Sequence, residues 1–183
     1  MSGFSMSPLT RFRTSLICFI IGLIISGVTA FPLLLELKFL TWLLGAEHAP
    51  SPQGYEGLTF WIVTVRCGLE RTYADYPWIA YGTDWLAFGH LMIAAFFVAP
   101  LINPRHSRAN LYAGLFACLM VIPLALICGH VRGIPFYWRL VDCSFGIFGA
   151  MPLLYCLRQL RLIESGERLA PRQCFPPHET ADR

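Results

Sequence analysis

Apolar residues fall into four long runs, at about 14–31, 84–102, 111–129 and 140–157, separated by shorter stretches rich in charge, proline and glycine. Each run approaches the roughly 20 residues that cross about 30 Å of hydrocarbon as a helix. In lipid the backbone must satisfy its own hydrogen bonds, so such runs are helices rather than isolated strands. The pattern predicts an all-α polytopic membrane protein with four transmembrane helices in residues 1–163. Pro100, Pro123 and Pro152 lie within or near the ends of these runs, where each removes one helical hydrogen bond and is expected to kink its helix.

The segment between the first and second runs, about 33–74, is more than a loop. Leu33 to Leu44 is mostly apolar but carries Glu36 and Lys38, which suits a helix lying at the interface or folding back on the bundle. A turn-rich linker follows, from Ala46 to Gly57. In Leu58 to Tyr73 a helical stripe of Leu58, Trp61, Ile62, Val65 and Leu69 opposes Arg66, Glu70 and Arg71, with Arg66 and Glu70 spaced i,i+4. An amphipathic helix flat over the outer mouth of the bundle is expected. The polar stretch 164–183, with Pro171, Pro176 and Pro177, reads as a disordered cytoplasmic tail.

Composition agrees with a bilayer as solvent. The chain is 56% hydrophobic and only 14% charged, against about 25% charge in soluble domains, and its mean hydropathy is +0.56. A net charge of +3 without a basic arm gives no reason to expect nucleic acid. The seven cysteines form no CxxC pair, and five sit in apolar runs, where a free thiol behaves as a small hydrophobe.

Charge position predicts orientation. Arg11 and Arg13, then Arg105 and Arg108, then Arg158, Arg161, Arg168 and Arg172 share one side of a four-span topology, which places both termini in the cytoplasm of an inner-membrane protein. All five tryptophans fall on the other side, where Trp and Tyr mark an interface. A rival reading is a cleaved signal peptide ending at Val28-Thr29-Ala30. The apolar run continuing through Phe31-Pro32-Leu33 favours a retained helix.

Ionisable groups inside a membrane are costly and mark candidate function. Asp84, His90, Arg132, Arg139 and Asp142 form the candidate ligand-binding set. Thr83 or Asp84 is expected to cap the second helix. If that helix instead starts at Pro77, Asp84 lies two turns deep and needs a cation, Arg139 or Arg132. His90 is either a satisfied core hydrogen-bonder or a ligand. Arg139 and Asp142, spaced i,i+3, are expected to form an ion pair within the fourth helix. His130 and His90 fall at different depths for a bis-histidine haem. A metal drawn from His90, His130, Asp84, Asp142 or Glu36 lacks any recognised ligand spacing. No cofactor is assigned and no metal is expected. Gly146 and Ala150 make a small-xxx-small pair suited to close helix packing.

The strings Tyr81-Gly82-Thr83-Asp84-Trp85-Leu86-Ala87-Phe88-Gly89-His90 and Arg132-Gly133-Ile134-Pro135-Phe136-Tyr137-Trp138-Arg139-Leu140-Val141-Asp142-Cys143-Ser144-Phe145-Gly146 resemble a family of uncharacterised small bacterial four-helix integral membrane proteins. Gly27-Val28-Thr29-Ala30-Phe31-Pro32 and Pro100-Leu101-Ile102-Asn103-Pro104 fit the same pattern. The resemblance implies the topology and the same polar residues, without an activity. Two function classes follow. One is a non-catalytic binding or accessory protein, in contact with membrane lipids, whose outer-leaflet polar cluster holds a small ligand, a lipid head group or a partner membrane protein. The other is a membrane-embedded metal- or His/Asp-dependent hydrolase opening to the periplasm, with His90, Asp84 and Asp142 as its catalytic candidates and Ser144 or a water as nucleophile.

Overall fold

The structure, a computed structural model, describes residues 6–169. Among these residues the chain is all-α, with eight α-helices joined by short 3₁₀ and π segments. They are α1 (Pro8–Ala30), α2 (Leu33–Leu43), α3 (Gly57–Asp75), α4 (Tyr81–Phe96), α5 (Val98–Ile102), α6 (Arg108–Pro123), α7 (Gly129–Val131) and α8 (Phe136–Leu169). Four helical stretches are long and apolar enough to cross a bilayer: Pro8–Ala30, Pro77–Ile102, Arg108–Val131 and Phe136–Gly166. The protein is a polytopic membrane protein with four transmembrane helices and an additional helical hairpin at one end.

The helices outrun the apolar stretches, and local chemistry explains how. Ser7 accepts from the Thr10 N–H at 3.2 Å and Pro8 occupies the first turn, so α1 starts six residues before the apolar run. Helix α8 continues to Leu169, so the polar stretch expected to be disordered from residue 164 begins as helix; the rest of that expectation, 170–183, lies outside the described residues. Arg108 holds the extension in place through a bidentate pair with Glu164, its Nε donating at 3.0 Å.

The expected proline effects are individual. Pro100 has no N–H for the carbonyl of Phe96, and α4 breaks at Phe97 into the short α5. The Asn110 side chain donates to that Phe96 carbonyl at 3.3 Å. Pro123 ends regular α6 and is followed by a π-helical segment, Leu124–Cys128. At Gly133 (φ 70°) the chain closes a Schellman turn, with Ile134 N–H on Gly129 O and Gly133 N–H on His130 O. Only glycine enters that left-handed region without cost.

Helix α1 packs on α4 and α8, and α8 packs on α6. The spans therefore pack in the order α4, α1, α8, α6. The arginines at 11, 13, 105, 108, 158 and 161 gather at one end of this bundle, and the hairpin stands at the other. Helices α4 and α6, at the two ends of this order, meet near the arginine-rich end. There the Phe97 ring reaches so near Gly114 that an added Cβ would stand 2.6 Å from it. The same ring meets Phe19 edge to face at 4.9 Å. The large buried side chains of the spans lie in this half: Phe12, Leu16 and Ile20, Phe97, Leu111, and Leu153, Leu157, Gln159 and Leu160. Lipid tails solvate leucine as well as protein does, so this cluster holds by close van der Waals packing. Cross-helix hydrogen bonds assist, Ser15 Oγ donating to Pro152 O at 3.1 Å and Cys156 Sγ to Phe12 O at 3.5 Å.

Helices α2 and α3 pack on each other as the hairpin. Leu37 and Thr41 face α3, whereas Leu35, Phe39, Trp42 and Leu43 remain exposed along one side of α2. That exposed apolar stripe is the face an interfacial helix turns to the acyl chains. Phe39 and Trp42 stack at 5.7 Å upon it. At the neighbouring end of α4, Tyr76 meets Trp78, and Tyr81, Trp85 and Phe88 follow edge to face. These exposed rings form the aromatic belt expected where a span leaves lipid. Tyr137 Oη ties α8 to the start of α3 by donating to Gly57 O at 3.0 Å.

Candidate functional site

Packing in the hairpin-end half of the bundle differs from that in the other half. Its buried residues are all small: Gly27, Ala87, Ala125, Gly129, Cys143 and Gly146. Longer residues beside them, among them Leu23, His90, Leu91 and Asp142, are only half-buried. Close contact here runs pairwise, α1 with α4 through Gly27 and α6 with α8 through Gly146. A Cβ at Gly27 would stand 3.0 Å from Ala87 O and 3.1 Å from His90 Cβ, and one at Gly146 would stand 2.4 Å from Cys118 O.

These contacts set the depth of the candidate residues. Gly149 of α8 lies beside Phe19 of the antiparallel α1. From there Gly27 is eight residues along α1 and Asp142 seven residues back along α8, about 12 and 10 Å at helical rise. His90, against Gly27, therefore shares its depth with Asp142 on a different helix. Asp84 stands about 9 Å farther toward the hairpin end. Ala87, fully buried against α1, is midway between Asp84 and His90 in sequence. The two residues thus flank the α1 contact at roughly 60° on either side.

Their partners depart from expectation at several points. His90 Nδ1 lies 2.8 Å from Leu86 O of its own helix, and neither Asp84 nor Asp142 bonds it among the described residues. Asp84 does not cap α4. The helical path begins at Pro77, a 3₁₀ turn runs directly into α4, and Thr83 Oγ1 donates backward to Ala80 O at 2.7 Å. The deeper placement of Asp84 therefore holds, but it pairs with neither Arg132 nor Arg139 among the described residues.

The expected pair within α8 is also not formed. Arg139 turns from Asp142 toward α6 and lays its stem over Gly129, where a Cβ would stand 2.7 Å from its Cγ and Cδ. Its Nη1 donates to Leu126 O at 3.3 Å, and its guanidinium lies 5.2 Å from the Phe136 ring centre. Gly129 leaves room for that stem, and Leu126 lies in the π segment that follows Pro123. Asp142 is left half-buried without a hydrogen bond or ion pair among the described residues. Arg132 and His130 are exposed in the turn before α8. Ser144 Oγ donates to Val141 O at 2.6 Å within its own helix. Among the described residues, no three of His, Cys, Asp and Glu gather as a metal site would require.

Sequence reasoning missed the most buried charge. Arg66, expected on the polar face of α3, is 6% exposed. Its Nη1 donates to Glu47 O at 3.0 Å and its Nη2 to Ala49 O. Glu70 lies 3.8 Å from Arg66 and 3.5 Å from Lys38, joining α2 to α3. Arg66 thus folds the 44–56 linker onto α3 against Ala46, Ala49, Val63 and Cys67. The buried neighbours Val63 and Cys67 were the available signal. The hairpin carries a hollow of about 390 Å³ bordered by Trp42, Glu47, His48 and Tyr55. A smaller one of about 230 Å³ lies at the arginine-rich end. Neither includes a candidate residue.

No protein-family model, curated protein or solved structure matches the chain.

Proposed function

We propose that this is a non-catalytic binding or accessory protein of a bacterial inner membrane, with both termini cytoplasmic, that holds an amphiphile at the opening between α4 and α6. The observation that carries this reading is the packing asymmetry: large side chains fill one half of the bundle, and only small ones are buried in the other. A lipid tail or small apolar ligand fits beside the half-buried Leu23 and Leu91. Asp84, His90 and Asp142 border it as unpaired or self-bonded polar groups, and Arg132 offers an exposed cation for an anionic head group. The hydrolase alternative has less support, since His90 bonds its own helix instead of an aspartate.

The test is native mass spectrometry of the full chain in mild detergent. A retained amphiphile, displaced when Ser26→Phe fills the centre-facing side of α1, is the expected result. A bare polypeptide across several detergents would refute the reading. So would a hydrolytic turnover that Asp142→Asn abolishes while the fold survives.

A further inference from the structure

The arginine-rich end contains a second feature, independent of the opening described above. Its cavity of about 230 Å³ lies where the start of α1, the turn after α5 and the last turns of α8 converge, bordered by Leu9, Arg13, Asn103, Pro104, Arg105 and Ile163. Pro104 is buried and fixes the turn. Arg13 is exposed and makes no hydrogen bond or ion pair within the described residues, in contrast to Arg108, which Glu164 engages. Asn103 adds a neutral amide, and Leu9 and Ile163 add apolar wall. Six arginines, at 11, 13, 105, 108, 158 and 161, stand at this end among the described side chains, with Glu164 the acid facing them.

This combination suits one ligand chemistry. A cationic rim attracts a phosphate, and an apolar wall at the level where the spans leave lipid accepts the adjoining chain. We propose that the cavity binds the phosphate of an anionic membrane lipid, with Arg13 as its principal cation and the acyl chains descending past Leu9 and Ile163. A zwitterionic lipid fits less well, because its ammonium would enter a field of six arginines. Basic pockets between spans on an anionic leaflet are selective on this principle.

The experiment titrates the full chain in detergent with phosphatidylglycerol, phosphatidylcholine and inorganic phosphate, reading occupancy by native mass spectrometry. Phosphatidylglycerol should bind at least about tenfold more tightly than phosphatidylcholine. Arg13→Gln should weaken phosphatidylglycerol about fivefold, the usual effect of one interfacial arginine. Arg13→Lys should retain most of the binding, and Arg71→Gln, exposed in the hairpin at the opposite end, should leave it unchanged. Equal affinity for the two lipids would overturn the proposal, as would indifference to Arg13→Gln or equal sensitivity to Arg71→Gln. Displacement of phosphatidylglycerol by millimolar inorganic phosphate would assign the cavity to the free anion instead. The same titrations on Ser26→Phe, in which the opening at the other end is filled, count this cavity alone and should return the same lipid preference and the same dependence on Arg13.

Discussion

Gly146 gives the sharpest test of the bundle. A Cβ there would stand 2.4 Å from the Cys118 carbonyl oxygen, at least 1 Å inside ordinary contact of 3.4 Å or more. The obstacle is backbone in the middle of α6, so no rotamer change relieves it, and α6 and α8 must separate. A gap of that size forfeits about a quarter to a half of each dispersion contact across it. Overpacking of this kind costs about 1–3 kcal/mol. Alanine simultaneously gains about 0.5–1 kcal/mol of helix propensity over glycine, which partly masks the loss. Gly22→Ala supplies the correction, because nothing lies within 4 Å of its added Cβ and only the propensity term remains. Gly146→Ala should therefore fall below Gly22→Ala by about 1–3 kcal/mol in denaturant unfolding of the detergent-solubilised protein, followed by helical signal. Equal stability of the two variants would refute direct backbone contact between α6 and α8 at this level.

Phe97→Ala removes the wedge between α4 and α6, and should cost about 3–5 kcal/mol by the same unfolding measurement, with Phe97→Leu recovering more than half. A loss below 1 kcal/mol would mean that α4 and α6 do not meet there. Arg66→Met keeps the volume but leaves the carbonyls of Glu47 and Ala49 without their donor, at about 1.5–3 kcal/mol for each charge-assisted bond. Amide exchange and limited proteolysis should accelerate within 44–56 while the spans stay protected. Protection unchanged in that linker would contradict the buried role of Arg66.

Four spans were legible in the sequence because lipid penalises any interruption of an apolar run that must cross it. The outer segment was legible as two helices, the first too short and too charged to be a fifth span, but their pairing with each other as a hairpin was not. Helix ends were less so, because Ser7, Pro8 and Pro77 extend helices through residues that hydropathy counts as polar. The candidate polar residues could be named from the cost of charge in a membrane, yet their partners could not. Arg139 bonds the Leu126 carbonyl instead of Asp142, three residues away on its own helix, because Gly129 on another helix leaves room for its stem. Arg66 shows the same limit: its i,i+4 spacing to Glu70 looks like a surface pair, and its burial depends on a linker folding back from 19 residues away.

The sequence by itself determined that this chain crosses a membrane four times and gathers its arginines at one end, since these follow from the local free energy of each residue against lipid or water. Only the tertiary structure decided that α4 and α6 meet at Phe97 and that the bundle buries only small side chains toward the hairpin. Which helices touch depends on side-chain shapes meeting across the bundle, and hydropathy along one chain contains no record of shape.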